Sequence, residues 1–177
     1  DDHDLVRTAI ARMLADNNDL HVTGQASSGE EAYQLVGELK PDVVLMDVRM
    51  PGIGGLEATR RIKQRYPEVK ILALSAYEDE PFPTRLLQAG ASGYLTKGAC
   101  IDETIRAIRQ VAAGKPYLSP SIAQQMALKS CDINQQSCPF EQLSEREMQI
   151  SLLIASGKKI QAISDLLCVS PKTVNTH

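Results

Sequence analysis

The chain has 177 residues, 43% hydrophobic and 23% charged, with a formal net charge of −3, which suits an ordinary globular domain plus a small second one. The excess of acid excludes a surface that is nucleic-acid-like throughout, so any contact with DNA has to be local. No apolar run approaches the roughly 18–20 residues that span a bilayer, no signal-peptide order opens the chain, and Cys100, Cys131, Cys138 and Cys168 form no CxxC pair, which speaks for reduced thiols in a cytoplasmic protein rather than zinc or disulfides.

In chain order, residues 5–15 predict a helix, with Val6, Ile10 and Leu14 in one row and Leu5, Ala9 and Met13 beside it. A short extended segment is expected at about 21–26. Ser28 is placed to cap the next helix, whose face is Ala32, Leu35, Val36 and Leu39 and which Pro41 ends. DVVLMD at 42–47 sets four apolar residues between aspartates, the pattern of a strand buried on both faces of a parallel sheet. PGIGG at 51–55 is a glycine-rich turn into a helix at about 56–66, and KILALSA at 70–76 is a second buried strand. A helix at about 82–89, a strand at 92–96 and a helix at 101–113 follow, the last with Ile101, Ile105, Ile108 and Ala112 inward and Gly114 as its cap. Strand and helix in alternation predict a doubly wound α/β fold with a parallel sheet, flavodoxin-like. The chain opens directly on Asp1-Asp2 and stops at His177 a turn or two into a helix, so both ends read as cut. The first strand is expected before Asp1, with the acid pair at its carboxyl end.

Ligands of open parallel sheets sit outside the carboxyl ends of the strands. Those ends carry Asp1 and Asp2, then Asp47, Ser75 and Lys97. Three acids, a hydroxyl and an amine at one crevice suit phosphoryl transfer to a carboxylate, with Asp47 as nucleophile. Clustered carboxylates repel one another, and oxygen-only ligands with room for water favour Mg²⁺ as the neutralising ion. Lys97 supplies a fixed positive charge for the phosphoryl oxygens. Ser75 is placed to donate to a phosphoryl oxygen and so to sense the modification. His3 reads as a partly exposed residue at a helix start.

The stretches DDHDLVR, DVVLMDVRMPGIGG, ILALSA and AGASGYLTKG, with spacings of 45 from Asp2 to Asp47, 28 on to Ser75 and 22 on to Lys97, resemble the receiver domains of bacterial response regulators. The resemblance implies Asp47 as phosphoacceptor, Asp2 as a direct Mg²⁺ ligand and Asp1 acting mainly through water. It further implies that Arg49 gives its backbone carbonyl to the metal, that Ser75 and Tyr94 form the switch pair, and that Lys97 is the conserved-type lysine. Gly98 stands where many receivers have proline. A hydrolase passing through an aspartyl phosphate would usually carry a second carboxylate two residues after the nucleophile, and here that residue is Arg49.

From Gly114 the pattern loosens, apart from a helix expected at 119–130 with Ser119 or Ser121 as cap and Pro120 in its first turn. CDINQQSCPFEQ reads as a tether. Its two cysteines, in a polar stretch without a basic cluster, do not read as a redox pair. Ser144 and Glu147 form a capping box opening a helix with Met148, Leu152 and Ala155 on one face. Ile160, Ile163, Leu166 and Leu167 form the apolar face of a second, and Pro171 follows Ser170 at the start of a third. This is a helix-turn-helix pattern, equally open to a small module that binds protein or RNA.

LSEREMQI, ASGKKIQAISDLL and CVSPKTVNTH resemble the LuxR-type helix-turn-helix, and a receiver joined to it is the architecture of the NarL/FixJ response regulators. That implies a receiver at 1–116, a linker with one helix at 117–141, and a DNA-binding domain at 142–177 that ends early. It implies a sensor histidine kinase and double-stranded DNA as partners, a homodimer when phosphorylated, and no membrane association. Four basic residues against three acidic ones at 143–177 leave a net charge that is weak for a DNA binder. Lys172 and Thr173 are placed for DNA phosphates, and Asn175 and Thr176 for the groove.

Overall fold

The computed structural model describes residues 1–76 and 82–131 and, beyond them, Glu147, Ile150, Ser151, Ile154, Ile160, Gln161 and Ser164. Two compact units divide the chain, Asp1–Asp132 and Ile133–His177.

The first unit runs α1 (Asp4–Ala15), α2 (Gly29–Leu39), β1 (Val43–Asp47), α3 (Gly54–Arg65), β2 (Lys70–Ser75), α4 (Phe82–Gln88), β3 (Gly93–Thr96), α5 (Ile101–Ala112), β4 (Tyr117–Leu118) and α6 (Pro120–Cys131). The strands form one parallel sheet in the order β1-β2-β3-β4. Successive side chains of a strand point to opposite faces, and both faces are covered. Val43, Leu45, Leu72, Leu74 and Leu95 pack with Leu14 of α1 and with Ile105, Ile108 and Val111 of α5. Val44, Met46 and Ile71 pack with Ala32 and Val36 of α2 and with Ala58 and Ile62 of α3. Each fully buried aliphatic side chain contributes about 2 kcal/mol, so two-sided burial of unbroken apolar strands fixes the sheet inside the layers.

The helix ends follow local chemistry. Ser28 accepts the Glu31 amide at 3.2 Å, while the amide and hydroxyl of Ser27 reach the Glu31 carboxylate at 2.7 and 2.8 Å. The Ser27 amide chiefly holds that carboxyl below its usual range. Lys40 closes α2 in the left-handed conformation, φ 46°, and α5 is capped by Ala113 and followed by Gly114, φ 76°.

Three expectations change. Residues 21–26 pair with no strand among the described residues, and 21–25 are exposed; they lie instead along a cavity of about 520 Å³ whose wall includes the outer edge of β1. The fourth strand is β4, too short to show any periodicity in the sequence. It is held by register pairing of Tyr117 with Gly93, by Ser119 N–H donating to Tyr94 O at 3.1 Å, and by the Tyr117 hydroxyl on Glu103 at 2.8 Å. On the helices, Leu5 and Met13 are 82% and 48% exposed, and Val111 rather than Ala112 turns inward on α5.

In the second unit the described positions are helical, with Ile150 and Ser164 buried and Ile160, expected on an apolar inner face, 42% exposed. Lys172, Thr173, Asn175 and Thr176 lie outside the described residues. Among the described residues no helix is long and apolar enough to cross a membrane.

Candidate functional site: an acidic cluster around Asp47 and Lys97

Because β1, β2 and β3 are parallel, their carboxyl ends come together at one edge. Asp47 lies level with Leu74, and Ser75 with Thr96. The ladder runs one residue further on each side of β2, with Val48 N–H donating to Leu74 O at 3.0 Å and Lys97 N–H to Ser75 O at 2.7 Å. Those two bonds fix the backbone immediately after Asp47 and at Lys97, so the carboxylate and the ammonium are presented by the rigid sheet.

Asp47 is 2% exposed, and both its oxygens have partners. Oδ2 lies 2.7 Å from Lys97 Nζ, and Oδ1 accepts the Arg49 amide at 3.0 Å. Lys97 Nζ also lies 2.9 Å from Asp1 Oδ2, so one ammonium bridges two carboxylates. Asp1 is held from three sides: its carbonyl accepts Arg7 Nη1 at 2.6 Å, its Oδ1 accepts the His3 amide at 3.0 Å, and its nitrogen donates to Ala26 O at 3.2 Å. Its side chain is 7% exposed, whereas that of Asp2 is 36% exposed. His3 Nδ1 stands 2.8 Å from Asp2 Oδ1 and 3.5 Å from Asp1 Oδ1.

The structure therefore brings Asp1, Asp47 and Lys97 into direct contact and places Asp2 beside them through His3. Ser75 is buried at the end of the neighbouring strand. Tyr94 is fully buried two rungs back, level with Ala73. The carboxylates of Asp1, Asp2 and Asp47 crowd together around the Lys97 ammonium, with the Arg7 guanidinium and the Asp1 nitrogen close by. Asp1 Oδ2 is buried and, though close to Lys97 Nζ, accepts no well-directed hydrogen bond. A hard divalent cation with oxygen preference fits that donor set, since it relieves the repulsion and carries water that can donate to the stranded oxygen.

Sequence reasoning passed over four residues. Arg7 and His3 belong to the same DDHDLVR stretch and act on the acid pair, but His3 offered only the signal of a helix start. Gly55 and Glu30 shape the loop after Asp47. A Cβ on Gly55 would lie 2.0 Å from Asp47 O, and Glu30 Oε1 accepts the Ile53 amide at 3.0 Å. In the sequence Gly55 was one glycine of a turn, and nothing marked Glu30.

Residues 1–109 match the family described as "Response regulator receiver domain", and residues 141–177 match "Bacterial regulatory proteins, luxR family". The chain is 62% identical to response regulator GacA of Pseudomonas aeruginosa over 177 residues, covering 100% of this chain and 83% of that protein. It is 49% identical to response regulator UvrY of Escherichia coli, covering 81% of that protein. Among solved structures, a LuxR-family two-component response regulator from Aurantimonas is similar at TM-score 0.71 and 38% identity, over 74% of this chain and 94% of that one. A parallel sheet ending in this cluster, followed by a second unit that matches the LuxR family, places the chain among the two-component response regulators with a receiver domain and a LuxR-type DNA-binding domain.

Proposed function

We propose that Asp47 takes a phosphoryl group from the phosphohistidine of a sensor histidine kinase and that this modification turns on sequence-specific binding to double-stranded DNA in the cytoplasm. The reading rests above all on the Lys97 ammonium bridging Asp47 and Asp1 at the carboxyl end of the sheet. A carboxylate oxygen of Asp47 bonds to phosphorus as the P–N bond to the donor imidazole breaks, and the imidazole nitrogen retains the electron pair. Lys97, already against Asp47, neutralises charge on the transferred group. Ser75 donates its hydroxyl to a phosphoryl oxygen, and Tyr94 repacks with it as the second member of the switch. Asp2, the Asp47 carboxylate and the Arg49 carbonyl would hold Mg²⁺, and Asp1 would act on it mainly through water. When bound, the ion screens the clustered carboxylates from the incoming phosphoryl group.

In the second unit, Lys172 and Thr173 contact DNA phosphates while Asn175 and Thr176 face base edges. Phosphorylation favours a homodimer, the form that grips paired half-sites. The test is binding of the whole protein to duplexes selected from a random-sequence pool, measured with and without acetyl phosphate and Mg²⁺. Affinity should rise about tenfold or more with the phosphodonor, within the usual range of coupling between sites. Equal affinity in both conditions would refute the switch, and failure to select any duplex would favour a helical module that binds protein or RNA.

The metal roles are tested separately. By calorimetric titration Asp1→Ala should weaken Mg²⁺ binding about tenfold, the scale of a lost outer-shell partner. Asp2→Ala should weaken it more, because a direct ligand is removed. Equal losses, or the reverse order, would contradict these assignments.

A further inference from the structure

The loop from Val48 to Gly54 carries Arg49 and is tied at its base, where Gly55 N–H donates to Val48 O at 3.1 Å. A second tie comes from a different element. Glu30, in the first turn of α2, accepts the Ile53 amide on Oε1 at 3.0 Å across 23 residues of sequence. The loop is shaped to receive it. Gly52 has φ 78°, a left-handed conformation that suits glycine, and a Cβ there would lie 2.3 Å from the Glu30 carboxylate. The neighbouring Gly29 packs so closely that a Cβ on it would lie 2.8 Å from Gly54 O. The start of α2 is thus docked directly on the loop, through Glu30 on Ile53 and Gly29 against Gly54.

We propose that Glu30 is a positioning residue for the cation site: by clamping Ile53 it holds the loop in the one shape that presents Arg49 to the acidic cluster. The proposal rests on the reading that the Arg49 carbonyl helps to hold Mg²⁺. Glu30 touches neither the metal nor Asp47, and acts through the backbone that carries a ligand. Preorganised ligands need such support, because a loop free to sample other shapes loses affinity in proportion to the time spent in them.

The whole protein is compared with Glu30→Ala and Glu30→Gln. Glutamine keeps an oxygen acceptor for Ile53 N–H but removes the charge that favours a helix N-terminus; alanine removes both. Calorimetric Mg²⁺ titration should show a dissociation constant about threefold to tenfold weaker for Glu30→Ala, the scale of one hydrogen bond to a charged group that is partly exposed. The Glu30→Gln value should stay near wild type. Thermal melting should fall in both, through the lost helix charge, and further in Glu30→Ala, which also loses the hydrogen bond to Ile53. Hydrogen exchange at the Ile53 amide, measured without metal, should speed up in Glu30→Ala alone. Unchanged Mg²⁺ affinity in Glu30→Ala, equal weakening in both variants, or unaltered Ile53 exchange would each overturn the clamp. A wild-type protein that binds no Mg²⁺ would instead overturn the metal assignment itself, and the clamp with it.

Discussion

Asp47→Asn should leave a folded protein that takes up no phosphoryl group from acetyl phosphate, with intact-mass measurement as the check. The amide is nearly isosteric with the carboxylate, so the buried site at the end of β1 keeps its packing. The amide oxygen still accepts the Arg49 N–H that Oδ1 accepts now at 3.0 Å. The amide nitrogen that replaces Oδ2 cannot accept from Lys97, which has to draw back toward Asp1, 2.9 Å away, and keeps a charged partner there. Removing one of several crowded carboxylates relieves repulsion, and the melting temperature should hold or rise. What disappears is the anionic oxygen able to bond to phosphorus. The effect is therefore complete on chemistry and small on stability. A variant that still gains one phosphoryl at the wild-type rate would show that the acceptor lies elsewhere.

Gly55→Ala should act in the opposite way, through stability first. Its added Cβ would lie 2.0 Å from Asp47 O and 2.9 Å from both the Asp47 carbonyl carbon and Val48 Cα, all backbone atoms. None of them can swing aside as a side chain would. Val48 N–H is bonded to Leu74 O at 3.0 Å, and Gly55 N–H to Val48 O at 3.1 Å, so relief would require moving α3 or the end of β1. Such overpacking costs about 3 kcal/mol, a large share of the stability of a typical domain. Urea denaturation should show a midpoint lowered accordingly, and phosphorylation should fall even where the variant remains folded, because the displaced backbone is that of Asp47. A loss below about 1 kcal/mol would mean that α3 does not close on the strand as described.

How much of this was legible beforehand varied with the kind of constraint. VVLM ahead of Asp47 and ILAL ahead of Ser75 announced strands buried on both sides, and the structure places them in register as neighbours. The convergence of Asp47 and Lys97 followed from parallel order alone, since parallel strands bring their carboxyl ends to one edge. By contrast, α1 offers two apolar rows of similar strength, and only packing against α5 turned Leu14 and Ile10 inward, while Val6 of the same row stays 39% exposed. Residues 21–26 had strand-like composition, but a strand exists only through a partner. Tyr117 and Leu118 carried no pattern, yet an open edge at β3 made them one.

The sequence by itself determined the alternation of elements, the two-faced burial of the sheet and the residues gathered at its carboxyl end, because periodicity and the chemistry of single residues are local properties. The tertiary structure alone decided that Lys97 bridges Asp47 and Asp1, that Arg7 and His3 hold the acid pair, and that Glu30 ties down the loop that carries Arg49. The reason is physical. These are contacts of one atom with another, three of them across 23, 50 and 96 residues, and no repeat or composition marks a contact whose partners meet only after the layers have packed.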